Sequence, residues 1–373
     1  MTSELSSLCS YAKGKVSVDT LSKRNYVSTE NMVPNKGGIV DAGALPSAQY
    51  TQQYMKDDIL VSNIRPYFKK IWMADDDGGC SNDVLVFRAE CGCDSTFLYY
   101  VLANDAFFNY ASATSKGTKM PRGDKTAIMQ YEVPCFNHET QLRIGKLLRS
   151  IDDRITVNKK INDNLQQQAD ALFSSLYDRS NTEVRFTDLI QILGGGTPKT
   201  GENTYWNGNI AFFTPKDVGT PYTLITEKTI SKEGLSHCNS RLYPVNTVFV
   251  TARGTVGKVG MSGVPMAMNQ SCYALVGKET HQLLVYFYTL KAVDRLKHKA
   301  SGAVFDAITT RDFESEQIMK LSDDDATAFL RVAEPMFQEV LNNNIENLRL
   351  STLRDSLLPK LMSGEIDVST VQL

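Results

Sequence analysis

IGKLLRSIDDRITVNKKINDNLQQQADALFSSL, Ile144 to Leu176, and FLRVAEPMFQEVLNNNIENLRLSTLRDSLLPKL, Phe329 to Leu361, carry one helical pattern twice, 185 positions apart. In the first stretch Ile144, Leu148, Ile151, Ile155, Asn158, Asn162, Leu165, Ala169, Leu172 and Leu176 recur in alternating steps of four and three, the spacing of a heptad seam. Adding 185 gives Phe329, Ala333, Met336, Val340, Asn343, Asn347, Leu350, Arg354, Leu357 and Leu361, with asparagine at the same two places. Two polar defects matched in position argue for an internal duplication.

At 1.5 Å per residue each segment makes a helix roughly 50 Å long, longer than an ordinary globular helix. The asparagine pairs sit near the middle of each seam, so antiparallel pairing brings Asn158 and Asn162 opposite Asn343 and Asn347. There the amides can hydrogen-bond one another and set the register, because a slip would bury them against leucine. On this reading, replacing Asn158 and Asn162 by leucine strengthens the rod and loosens its register. The alternative is two separate amphipathic helices, each packed on its own domain.

Outward from the helices the halves still match. The β-prone run Asp58 to Arg65 aligns with Asn246 to Arg253 at an offset of 188, each delivering an arginine, and the alignment continues to Lys70 and Lys258. At the same offset Ser81-Asn82-Asp83 meets Asn269-Gln270-Ser271, each followed by another β-prone run, Val84 to Phe87 and Cys272 to Val276. Short helices follow, Phe97 to Tyr110 and Leu283 to Lys297, before each long helix. The expected fold is α+β: two globular mixed α/β domains (1–138 and 180–322), two long helices packed as an antiparallel coiled coil (139–179 and 323–366), and a tail (367–373). Two heads of divergent surface on a duplicated rod suit a device that reads two different things at a fixed separation.

Composition narrows the class. The chain has 373 residues, 42% hydrophobic and 22% charged, and no run of 18 apolar residues, which argues against a membrane protein or a disordered one. The N-terminal segment MTSELSSLCSYAKGK has no apolar core of the secretory kind, so the cytoplasm is the expected compartment. Seven scattered cysteines, with no Cys-x-x-Cys pair, read as reduced structural thiols. Cys91-Gly92-Cys93 reads as a turn, and no metal site is expected. A net charge of −2 is silent about nucleic acid, but the runs Lys116, Lys119, Arg122, Lys125 and Lys291, Arg295, Lys297, Lys299 lie ahead of the two long helices and suit phosphate contact.

No catalytic constellation emerges. Gly254-Thr-Val-Gly257-Lys258 has two residues between its glycines where a phosphate loop needs four, and Val259 follows the lysine. Gly194-Gly195-Gly196-Thr197-Pro198 lacks dinucleotide-fold spacing. Asp152-Asp153 lies within the rod, and Asp323-Asp324-Asp325 reads as a helix N-cap and dipole partner.

The segment GGGTPKTGENTYWNGNIAFFTPKDV, Gly194 to Val218, resembles the opening of a target-recognition domain in the specificity subunits of type I restriction–modification systems. NYVSTENMVPNKGGI, Asn25 to Ile39, resembles the matching passage of another recognition-domain subtype. QLRIGKLLRSIDDRITVNKKINDNLQ, Gln141 to Gln166, resembles the central conserved region, and LRDSLLPKLMSGEID, Leu353 to Asp367, the end of the distal one. The first half lacks the GGTP-type opening. The approach to the second helix, EQIMKLSDDDATAFLRVAE, lacks the usual proline-rich junction. The resemblance implies a DNA-binding subunit without catalysis or bound cofactor, each domain reading one part of a split double-stranded DNA target and the helices setting the spacer. It implies as partners two methyltransferase subunits, which use S-adenosylmethionine to methylate adenine, and in full complexes two restriction (nuclease and translocase) subunits.

Base reading needs Arg or Lys for guanine and Asn or Gln for adenine, with further cations on phosphate. The candidates are Asn63, Arg65, Lys69 and Lys70 in the first domain, with Lys116, Lys119 and Arg122 toward the backbone. In the second they are Thr197, Lys199, Lys216, Arg253, Thr255 and Lys258, with Lys297 and Lys299 on phosphates. Each also reads as a solvated surface group. Trp206, beside Asn207-Gly208, reads as a packed turn anchor. Two other functions compete: a coiled-coil scaffold with two protein-binding heads, and an enzyme acting on nucleic acid.

Overall fold

The structure, a computed structural model, describes residues 2–219, 221–299 and 307–370. Positions 371–373 of the expected tail lie outside them. The chain forms two compact units, Met1–Ile155 with Arg349–Leu373, and Thr156–Leu348. The two long helices, His138–Asp178 and Asp323–Met362, are each continuous, and each contributes one half to either unit. Compactness therefore divides the chain within the helices, whereas the sequence boundaries follow element type.

In the first unit a four-stranded antiparallel sheet runs in the order Cys9–Tyr11, Val84–Ala89, Ile59–Ser62, Ile71–Met73. A second sheet runs Lys15–Ser17, Tyr50–Tyr54, Gly78–Cys80, Tyr26–Val27, its last pair parallel. The expected helical segment is broken in two, Ser95–Ala103 and Asp105–Ala113, because Asn104 takes an extended conformation and its side chain caps the second helix through Ala106 N. These helices pack Phe97, Leu98, Phe107 and Phe108 on Phe87 and Ile59 of the sheet, in one core with Ile144, Leu148, Leu358 and Leu361 of the long helices.

The second unit repeats this plan. Ile190–Gly194, Cys272–Gly277, Val248–Thr251 and Val259–Ser262 form the same antiparallel order, extended by Tyr222–Thr223. Beside it lies a sheet of Lys228–Ile230, Trp206–Phe213 and Met266–Met268, again with one parallel pair. The duplication extends to register: Val61 faces Leu85 as Val250 faces Tyr273, and Val27 faces Cys80 as Phe213 faces Met268. The helix Gln282–Lys299 takes the place of the two short ones, its Phe287 packed among Phe173, Phe329 and Phe337.

The long helices pair antiparallel in both units. In the second, Asn158 Nδ2 donates to Asn347 Oδ1 at 3.0 Å, and Asn343 Nδ2 donates to Asn162 Oδ1 at 2.9 Å. These two bonds are equivalent under the duplication. Two others break the symmetry: Asn158 Nδ2 also donates to Glu346 (2.7 Å), and Asn162 Nδ2 to Asn344 (2.9 Å). In the first unit Arg354, the cation in an otherwise apolar seam, forms an ion pair with Asp152 at 2.6 Å, and Tyr100 donates to the same carboxylate at 2.6 Å. The duplicated positions, Ala169 and Phe337, lie in the second unit's apolar core, so one end of the repeat is ionic where the other is greasy. The Asp323 triad takes the dipole position expected of it but not the cap. Ser322 caps the distal helix, accepting from Asp325 N at 3.1 Å, and the aspartates fill the first turn, where Asp325 pairs with Arg179.

Candidate nucleic-acid interface

The two heads present one hairpin loop each, at equivalent places in their sheets. In the first unit it joins Ile59–Ser62 to Ile71–Met73; in the second it joins Val248–Thr251 to Val259–Ser262. Ser62 N donates to Lys70 O at 3.1 Å, and Thr251 N to Lys258 O at 3.0 Å, closing the loops alike. Strand register fixes the correspondence across them. The incoming strands match at an offset of 189 and the outgoing ones at 188, so the second loop is one residue shorter.

This corrects the expected equivalence of Arg65 with Arg253. Arg253 corresponds to Ile64, and the two make equivalent isolated antiparallel bridges, to Ala307 and Arg122 respectively. Arg65 corresponds to Gly254, both left-handed, with φ of 51° and 84°; Lys69 and Gly257 repeat the agreement at 51° and 74°. Lys70 and Lys258 correspond as the sequence indicated. Gly254-Lys258 is thus a hairpin turn and not a nucleotide cradle.

In the first unit the structure brings several candidates together. Arg65 N donates to Pro121 O at 2.8 Å and Gly123 N to Asn63 O at 3.1 Å, which places the segment Lys116 to Arg122 beside the hairpin loop. Lys119 is exposed; Lys116 pairs with Asp124 at 2.5 Å and Arg122 with Asp83 at 3.0 Å. Lys69 and Lys36 grip Asp105 at 2.8 and 2.9 Å. Partial burial alone would raise the Asp105 carboxyl, but hydrogen bonds from the two lysines hold it below its ordinary range. Burial pulls the Lys70 ammonium down, and its Nζ donates to Thr29 O at 2.6 Å. Asn63 departs from its expected role: it is 7% exposed, and its Oδ1 meets no donor among the described residues. Lys36, Tyr67 and Phe68 were not anticipated. The first lies in the quoted Asn25 to Ile39 passage; the aromatics gave no periodic signal.

In the second unit the glycine-rich opening has a steric reason. A side chain at Gly195 would put Cβ 2.1 Å from Asn269 O, and one at Gly196 would put it 2.6 Å from Asn239 N. That close approach sets the Thr197 hydroxyl against the Gln270 carboxamide. Gln270 corresponds to Asn82 and was not among the candidates. Lys216 and Thr255 line one open cleft with Gly254, Glu227, Lys228 and Asn269; Thr255 Oγ1 donates to Pro215 O at 3.2 Å and Lys216 lies 3.5 Å from Glu227. Arg253 and Lys258 extend from the same loop, both exposed, and Lys199 is exposed nearby in sequence to Trp206. Trp206 Nε1 donates to Lys199 O at 3.1 Å and its ring meets Phe212 edge-on, a packed turn anchor as expected.

Two phosphate candidates are placed differently. The Lys297 stem lies over Gly257, where an added Cβ would come within 2.7 Å of its Cε. Lys299 is engaged: it and Arg295 both pair with Glu316, whose side chain is fully buried. Lys299 is therefore committed to a buried carboxylate, and removing one partner of such a buried pair is destabilising.

Burial pushes the thiols of Cys9, Cys80, Cys93 and Cys272 up to about 12, far from reactive thiolates. Cys91 and Gly92 form a turn closed by Cys93 N on Glu90 O at 2.9 Å. Among the described residues no cluster of His, Cys, Asp or Glu could hold a metal ion, and no helix is long and apolar enough to cross a membrane.

A duplicated α+β protein with one cationic hairpin loop per head belongs to the class of two-headed recognition proteins built on paired helices. The family profile described as the type I restriction modification DNA specificity domain matches it twice, over residues 1–167 and 179–320. The chain belongs to that family and is a DNA-recognition subunit of a type I restriction–modification system. The type I restriction enzyme HindI specificity subunit of Haemophilus influenzae is 24% identical over 432 aligned positions, covering 91% of this chain and 94% of the relative. The MjaIX specificity subunit of Methanocaldococcus jannaschii is 29% identical over 127 positions, 32% of this chain and 29% of the relative. In fold, the crystal structure of the type I restriction–modification S subunit from M. genitalium matches with a TM-score of 0.64 at 14% identity, covering 97% of this chain and 96% of that one.

Proposed function

We propose that each head reads one part of a split, asymmetric DNA target through its hairpin loop and the basic segment beside it. The observation that carries this reading is the equivalence of the loops Ser62–Lys70 and Thr251–Lys258: the backbone device is duplicated while the side chains it presents have diverged. A shared scaffold with different side chains suits two different base sequences. Arg65, Lys69, Lys70, Lys116, Lys119 and Arg122 serve the first half-site; Thr197, Lys199, Lys216, Arg253, Thr255, Lys258 and Lys297 serve the second.

The paired helices act as the spacer, with the asparagine layer holding their register, and as the docking surface for two methyltransferase subunits. Those partners carry S-adenosylmethionine and perform adenine methylation, and restriction subunits join them for cleavage, in the cytoplasm. The test is to exchange the second head for that of a relative, co-express the chimera with its methyltransferase partner, and sequence the methylated sites. One half of the target changes and the other stays. A chimera that leaves both halves unchanged overturns the reading.

A further inference from the structure

The first loop carries something the second does not. Tyr67 and Phe68 stand exposed at its tip, 53% and 38% accessible, with ring centroids 4.8 Å apart. By the strand correspondence their counterparts around Thr255 and Val256 include no aromatic residue. We propose that Tyr67 and Phe68 form an apolar wedge that inserts at a base step of the first half-site and partly unstacks it, and that the second half-site receives no wedge. This rests on the reading of the chain as a two-headed DNA specificity subunit.

Three features point to a DNA ligand. First, the aromatic tip is held rigidly. Phe68 N donates to Arg65 O (3.0 Å) and Lys69 N to Pro66 O (2.9 Å), so Pro66–Phe68 is one helical turn between two left-handed residues. From the other side Asn35 N donates to Phe68 O and Lys36 N to Lys69 O, both at 2.8 Å. A preorganised turn keeps the rings exposed where a slack loop would let them fold onto the protein. Second, cations adjoin the rings. Lys70 Nζ lies 5.9 Å from the Phe68 centroid, and Lys69, next in the chain, shares Asp105 with Lys36, a pairing that DNA phosphate would have to replace. Such a cluster suits the phosphates beside an opened step. Third, the adjoining segment, whose Pro121 O accepts the Arg65 amide, carries a further exposed apolar residue, Met120, at 46%. Apolar side chains between base steps, cations on the flanking backbone, is the arrangement by which proteins kink a duplex.

The test uses the full chain in complex with its methyltransferase partner, on a duplex carrying its mapped target. 2-Aminopurine is placed in turn at each position of both half-sites other than the methylated adenine. Wild type is expected to brighten one first-half-site position several-fold. The Tyr67→Ala/Phe68→Ala variant should lose that brightening, the Tyr67→Leu/Phe68→Leu variant should restore it, and no second-half-site position should respond to either. Equal brightening in the alanine variant overturns the wedge, as does an alanine variant that keeps the DNA signal but loses its partner subunits on gel filtration, which would mark the rings as a protein contact. A wild-type complex that fails to bind the target strikes instead at the reading of the chain as the DNA-specificity subunit.

Discussion

Arg65 and Gly254 occupy one position of a duplicated hairpin loop, both with left-handed backbone, at φ of 51° and 84°. Only glycine takes that conformation without strain; an arginine there, and before a proline, is strained by about 1–3 kcal/mol. Gly254→Val should therefore destabilise the second unit by roughly 1–2 kcal/mol, seen as a lower Tm, and should weaken reading of the second half-site alone.

The paired amides make leucine at Asn158 and Asn162 costly, against the expectation that it strengthens the rod. Leucine at both Asn158 and Asn162 removes the partner of Asn343, which is 4% exposed, and one partner each of Asn344 and Asn347. Buried amides left without partners cost about 1–3 kcal/mol. The double substitution is expected to lower Tm, whereas leucine at Asn158, Asn162, Asn343 and Asn347 together should raise it above that of the double variant. Thermal denaturation of the two variants decides between compensation and mere hydrophobic gain.

Asp105 competes with phosphate for Lys36 and Lys69. Asp105→Asn should free both ammonium groups, tightening DNA binding at low salt and steepening the logarithmic salt dependence by up to about 2. Because its carboxyl is held below the ordinary carboxylate range, whatever stability the cluster supplies is present above the unfolded-state value and is lost as pH falls through the folded one. The half-exposed setting keeps that contribution small. Binding isotherms across salt concentrations, wild type against Asp105→Asn, give the answer.

Lys299 is expected to matter to stability rather than to affinity. Lys299→Ala leaves Arg295 as the one cation paired with Glu316 among the described residues, so it should lower Tm while the salt dependence of DNA binding stays unchanged. A flatter salt slope with an unchanged Tm would return Lys299 to the phosphate contacts.

Seven residues inserted in both helices, after Ile155 and after Leu348, leave the Asp152–Arg354 pair and the asparagine layer each within its own unit. Each helix lengthens by about 10 Å, or roughly three base-pair steps. Methylated sites should keep both half-sites and gain a longer spacer; an unchanged spacer would remove the helices from that role.

Much of the fold was legible because heptad spacing and matched polar defects survive divergence: both are set by the period of the α-helix and by buried amides that need partners. Arg354, which spoiled the seam pattern, was legible only once Asp152 was seen opposite it. The loop correspondence was misread by one residue because a single deletion between Asn63 and Lys70 leaves no trace in residue types; it shows in strand register and in the sign of φ. Asn63 and Lys299 have the right chemistry for DNA, but tertiary packing buries the first and commits the second to Glu316. Tyr67 and Phe68 went unnoticed because an exposed aromatic pair in a loop has no periodicity to betray it.

The most direct test of the central claim is genome-wide mapping of methylated adenines in cells expressing this chain with its methyltransferase partner. Two unlike half-sites separated by a fixed number of unspecified bases, and lost when the chain is deleted, is the predicted result. A single contiguous motif, or methylation that persists unchanged without the chain, would contradict it.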